Sequence, residues 1–140
     1  MNTKTNRLLW LDDIRDPNDT TWQNWLIGNC VNPSDFEITW VLNADDFVNY
    51  ITENGLPDLV CFDHDLGRDV VNEKVANGMS RRQAQIQRRE TVDGYDCAKW
   101  LVDYCVDNDK PLPDYLIQSA NPVGAVNIDS YLQNFKKFQK

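Results

Sequence analysis

The sequence predicts an α/β protein, a four-stranded parallel sheet flanked by helices. Short apolar or β-rich runs alternate with stretches of helical periodicity, and acidic or small polar residues stand at the ends of three of those runs. Strand followed by helix, repeated, implies right-handed crossovers with helices on both faces of the sheet. The length of 140 residues suits one domain with a proper core, residues 1–140.

The first run, "RLLWL" at 7–11, is continuously apolar and stops at Asp12-Asp13. That is the pattern of a short strand buried on both faces. A second β-rich segment, "FEITWVL", covers 36–42. After it Ala44, Phe47, Val48 and Ile51 recur at helical spacing, so a helix over 44–53 is expected to end at Asn54-Gly55. The third strand is "DLVCF" at 58–62, set up by Pro57. A helix over 94–107 follows, with Cys97, Ala98, Leu101, Val102 and Cys105 as its inner stripe. The turn "KPLP" leads to a fourth strand at 114–120, and a closing helix carries Ile128, Tyr131, Leu132, Phe135 and Phe138 on one side. Residues 14–35 give a weaker pattern. Trp22, Trp25 and Leu26 fit one short helix between Pro17 and Pro33.

Residues 67–92, between the third strand and its helix, differ in kind. They hold Arg68, Lys74, Arg81, Arg82, Arg88 and Arg89, six of the fourteen Lys and Arg residues, with little apolar stripe. Such an insertion reads either as a solvated excursion or as a mobile basic lid over the edge of the sheet. The chain as a whole is acidic, with a formal net charge of −8. That opposes generic DNA binding and anionic membranes, while a local cation still permits a small phosphorylated ligand. Cys30, Cys61, Cys97 and Cys105 form no C-x-x-C pair, and at least three fit buried thiols in a reducing compartment. No secretory leader pattern is present and no apolar run approaches the ~20 residues of a membrane span, so a cytoplasmic protein is expected.

Three motifs fall at the same edge of the predicted sheet. Asp12-Asp13 follows strand one, Asp63-His64-Asp65 follows strand three, and Ser119-Ala120-Asn121 follows strand four. Parallel neighbours lie about 4.8 Å apart, so these side chains can converge on one pocket at the carboxyl ends of the strands. Crowded carboxylates repel one another unless something positive lies between them. A hard divalent cation, Mg²⁺ or Mn²⁺, answers that need with oxygen ligands and a phosphate. The alternative is an acidic cluster held by hydrogen bonds and helix caps.

At these residues the chain resembles the response-regulator receiver domain, over most of its length. The acidic pair is matched by "LDD" at 11–13, and the metal-binding aspartate after the third strand by Asp63. Asp65 stands where a backbone carbonyl completes the metal shell. Ser119-Ala120 matches the hydroxyl-alanine pair, and Asp93-Gly94 the "DG" that opens the third helix. The resemblance implies a flavodoxin-like sheet of order 2-1-3-4. The receiver's fifth strand, its terminal lysine and its fifth helix have no counterpart; Lys136, Lys137 and Lys140 lie on or after the last helix. The narrower motifs "LWLDDIRDP", "FDHDLG" and "SANPVGAVNI" look like the receiver-like family proposed to process cyclic phosphates, often found in phage and mobile-element proteins. For a phage-encoded chain the compartment is the host cytoplasm.

That resemblance implies a divalent-metal-dependent phosphoesterase acting on a cyclic phosphate or cyclic nucleotide. Asp12, Asp13, Asp63 and Asp65 would hold Mg²⁺ or Mn²⁺. Ser119, Asn121 and Arg15 would contact phosphate, helped by the N-terminus of the last helix with Pro122 at its first position. Asp63, His64 and Ser119 would carry the catalysis, His64 as general acid or base and Asp63 as ligand or covalent acceptor. Blander roles stand beside these: His64 orienting a carboxylate, Ser119 closing a strand, Asn121 capping a helix, Arg15 in a solvated turn. A second functional class is a non-catalytic module that sequesters a nucleotide or binds a protein. A haloacid-dehalogenase-type phosphatase fits less well, because its D-x-D follows the first strand of its core rather than the third.

Overall fold

The computed structural model describes residues 6–63, 75–80, 83, 94–118 and 122–138, with the side chains of Pro122 and Phe138 excepted. His64, Asp65, Ser119 and Asn121, and most of the 67–92 insertion, lie outside these residues. Four parallel strands form one sheet in the order β2-β1-β3-β4, as the sequence led us to expect. They are β1 (Asn6–Leu11), β2 (Phe36–Val41), β3 (Leu59–Phe62) and β4 (Asp114–Ile117). The described helices are α1 (Thr20–Gly28), α2 (Ala44–Asn54), α3 (Gly94–Asp107) and α4 (Pro122–Phe138), with a 3₁₀ turn at Pro33–Asp35.

Alternation along β1 separates two cores. Leu9 and Leu11 point to one face, where Phe47 and Ile51 of α2, Leu101 of α3 and Ile128 and Leu132 of α4 enclose them. Leu8 and Trp10 point to the other, against Leu26 of α1. There Trp10, Trp22 and Trp25 pack as a tilted and edge-on trio with ring centroids 5.8–6.0 Å apart. All four residues from Leu8 to Leu11 are fully buried, as a central parallel strand requires. Cys61, Cys97 and Cys105 are buried and Cys30 is exposed.

The weakly patterned 14–35 stretch does hold one short helix, α1. Asp19 caps it by accepting from Thr21 N at 2.9 Å, and the turn beyond it places Cys30 at φ 65°. Asn43 caps α2 through Asp46 N at 2.8 Å, and Gly55 ends that helix at φ 81°, ψ −178°. Arg7 fixes the same end: its guanidinium donates to the carbonyls of Asn54 and Leu56 at 3.1 and 2.8 Å. Three of the strands are shorter than the sequence suggests, while β1 begins one residue earlier, at Asn6. β4 ends at Ile117, and the Gln118 side chain just beyond it reaches across the sheet edge to Leu11 O.

The strands end level. Leu11, Val41, Phe62 and Ile117 share one rung of the ladder. The next residue of each strand stands one step beyond it, in the spatial order Leu42, Asp12, Asp63, Gln118. Three hydrogen bonds continue the ladder into that row: Asp12 N to Val41 O (3.1 Å), Asp63 N to Leu11 O (3.0 Å) and Gln118 N to Phe62 O (3.0 Å). This row is the floor of the site.

Candidate functional site

Asp12 and Asp63 stand side by side in the row because β1 and β3 are neighbours. Asp13 follows Asp12 directly. All three carboxylates are buried, and one oxygen from each lies within 4.8 Å of the other two. Backbone bonds fix Asp12 tightly: its Oδ1 accepts from Ile14 N at 3.0 Å and Arg15 N at 2.9 Å. The "DDIR" turn therefore folds around its own first aspartate.

Arg15 brings a positive charge to this cluster. Its Nη1 lies 3.2 Å from Asp12 Oδ2 and 3.5 Å from Asp63 Oδ1, and its guanidinium lies 5.3 Å from the Trp22 ring centre. The backbone carbonyl of Arg15 accepts the Trp10 indole N–H at 2.9 Å, which ties the loop to the aromatic core. Asp12, Asp13, Asp63 and Arg15 thus meet at one point. The other expected site residues (His64, Asp65, Ser119 and Asn121) belong to the segments outside the described residues.

The donor set fits a hard divalent ion. Three carboxylates offer only oxygen, and burial makes their mutual repulsion costly without a counter-charge. Oxygens sharing one Mg²⁺ at about 2.1 Å lie at most about 4.2 Å apart. The triad's oxygens, all within 4.8 Å of one another, lie close to the spacing at which three carboxylates would share such an ion.

Two neighbours were not singled out by the sequence. Gln118 is 4% exposed; its Nε2 crosses the end of β3 to donate to Leu11 O at 3.0 Å. Its Oε1 is buried with no hydrogen-bond partner among the described residues. Trp40 donates its indole N–H to Asp12 O at 2.7 Å. A glutamine closing the apolar run "DYLI" was the available signal for the first. Nothing in "FEITWVL" separates Trp40 from an ordinary strand aromatic. A cavity of about 470 Å³, lined by Asn6, Cys30, Asp35, Asp58 and Asp114 among others, opens at the opposite, amino-terminal end of the strands and holds none of the triad.

A family model for the cyclic-phosphate processing receiver domain matches residues 7–134. The chain belongs to that family. As a cyclic-phosphate processing receiver domain, it keeps its acidic triad where β1 and β3 end. No curated protein matches this receiver domain. Among solved structures, a yeast Spc42 trimeric coiled-coil segment fused to another structure is similar at 20% identity and a TM-score of 0.46. That similarity covers 91% of this chain, which spans 60% of the other chain's length.

Proposed function

We propose that the chain is a divalent-metal-dependent phosphoesterase that opens a cyclic phosphate, its substrate a small phosphorylated ligand such as a cyclic nucleotide. One observation carries this reading: three buried carboxylates converge at the carboxyl edge of a sheet in a cyclic-phosphate processing receiver domain. On this reading residues 1–140 form one domain, and 67–92 is a basic insertion that follows β3 in the sequence.

Asp12, Asp13 and Asp63 would hold Mg²⁺ or Mn²⁺, with Asp65 completing the shell. Bound there, the ion supplies Lewis-acid polarisation of a phosphoryl oxygen. Arg15 already neutralises part of the triad. Where a cation takes over that task, its guanidinium can turn to a phosphate oxygen, the anion its fork suits best. Ser119 and Asn121 donate to the remaining phosphate oxygens, and the amino terminus of α4 points the same way in charge. Hydrolysis adds water across one P–O ring bond: the water oxygen joins phosphorus, and its proton ends on the departing ring oxygen. His64 is the group that moves this proton.

The test is incubation with 2′,3′- and 3′,5′-cyclic nucleotides in Mg²⁺, in Mn²⁺ and in EDTA. Ring opening should require metal and vanish in His64→Ala while Mn²⁺ binding survives. Tight binding without product identifies a sequestering module instead.

A further inference from the structure

Large apolar side chains exposed to solvent gather around one residue of the triad. Trp40 is 39% exposed, Leu42 41% and Ile14 47%. Each is tied to Asp12. The Trp40 indole N–H donates to Asp12 O at 2.7 Å. Leu42 stands beside Asp12 in the row beyond the ladder, one strand spacing of about 4.8 Å away, and Val41 before it accepts from Asp12 N at 3.1 Å. Ile14 N donates to Asp12 Oδ1 at 3.0 Å. The contrast along the same rung is sharp: Trp10, the register partner of Trp40, is fully buried under α1.

We propose that Trp40, flanked by Ile14 and Leu42, is the platform for the base of a nucleotide whose phosphate sits at the triad. The proposal rests on the phosphate-site reading above and adds the substrate class to it. Folding normally covers an indole or leaves it mobile. Here its one polar atom is anchored while much of the ring stays in solvent, so stacking costs little side-chain entropy. The anchor is the backbone of a residue whose carboxylate belongs to the triad, so the ring keeps a fixed offset from the phosphate position. β2 is the edge strand of the described sheet, and no described strand lies beyond it. Apolar neighbours on either side suit a flat, uncharged base rather than a second phosphate. The net charge of −8 further favours a mononucleotide over a polyanionic strand.

The test compares adenosine 3′-monophosphate, ribose 5-phosphate and inorganic phosphate by calorimetry in Mn²⁺, using the full chain, Trp40→Ala and Trp40→Phe. Stacking of one base on an aromatic ring is worth about 1–3 kcal/mol. The wild-type protein should therefore prefer the nucleotide over ribose 5-phosphate by about five-fold or more. Trp40→Ala should erase that preference while leaving ribose 5-phosphate and Mn²⁺ affinity within about two-fold. Trp40→Phe, which keeps a ring but loses the bond to Asp12, should retain most of it. Equal affinity of the wild type for nucleotide and ribose 5-phosphate overturns the platform with the phosphate site intact. So does an equal loss of all three ligands in Trp40→Ala, which would make the indole only a support for Asp12. If no ligand binds in Mn²⁺, the phosphate site itself fails and the platform falls with it.

Discussion

Replacing Arg15 by methionine keeps the aliphatic stem against Trp22 and removes the charge between two buried carboxylates. The structure sets the scale. Nη1 lies 3.2 Å from Asp12 Oδ2 and 3.5 Å from Asp63 Oδ1, with the arginine side chain 14% exposed and both aspartates fully buried. At those separations and an effective dielectric of ~20, each attraction is on the order of 5 kcal/mol before desolvation is subtracted. Breaking such an arrangement from one side typically costs about 3–5 kcal/mol, because the carboxylates left behind stay buried. In EDTA, Arg15→Met should lose about 3 kcal/mol by urea titration, equivalent to a drop in Tm of roughly 10 °C for a chain this size. Mn²⁺ should restore much of that loss, since it supplies the missing charge, and should raise the stability of the variant more than that of the wild type. A loss under about 1 kcal/mol in EDTA, or equal Mn²⁺ shifts in both proteins, would refute the view that Arg15 and the metal neutralise the same triad.

Other expectations follow from the same structure. Native iodoacetamide should label Cys30 alone, with Cys61, Cys97 and Cys105 reacting only in denaturant; mass spectrometry reads the count. Burial pushes the Cys105 thiol up to about 11 and raises that of Cys61 further. Their protonated forms are kept in the fold, so this stability is fully present below the unfolded thiol pKa of about 8.5. It is lost as pH rises from there toward 11, by about 1.4 kcal/mol per pH unit for each thiol. Urea midpoints between pH 8 and 10.5 should fall, and Cys105→Ala should flatten the slope. Gly55→Ala meets open space, so it tests backbone strain alone; at φ 81°, ψ −178° the cost should be about 1–3 kcal/mol in thermal melts. Acetyl phosphate should leave Asp63 unmodified by intact-mass measurement if that residue serves as a ligand. A stable phosphoryl adduct makes it the nucleophile.

The central part of the fold was legible because each element carried one clear physical instruction. Beyond Arg7, "LLWL" at 8–11 has no polar residue to face water, so it had to be the middle of the sheet. Phe47 with Ile51, and Leu101 with Cys105, repeat at helical spacing and do face the core. The triad was legible for a related reason: apolar strands that stop at aspartates leave those aspartates together once the strands are parallel. Contacts made across strands were not legible. Arg15 pairs with Asp63, 48 positions away, as well as with its near neighbour Asp12, and one sequence gives no sign of the first. Trp40 reaches Asp12 only because the register puts Trp40 beside Trp10 at the sheet edge. Gln118 reads as a strand residue until its amide is seen crossing to Leu11 O. The short α1 was obscured by Pro17 and Pro33, and its reality rests on the Asp19 cap and the tryptophan trio.

The most direct measurement is Mn²⁺ binding followed by electron paramagnetic resonance, in the wild type and in Asp13→Asn and Asp63→Asn, with folding of each checked by circular dichroism. A metal-held phosphate site predicts one tight Mn²⁺ per chain, weakened at least ten-fold in each variant. Added inorganic phosphate should perturb the spectrum of the bound ion. Folded variants that bind Mn²⁺ as the wild type does, or a wild type that binds none, would contradict the account at its base.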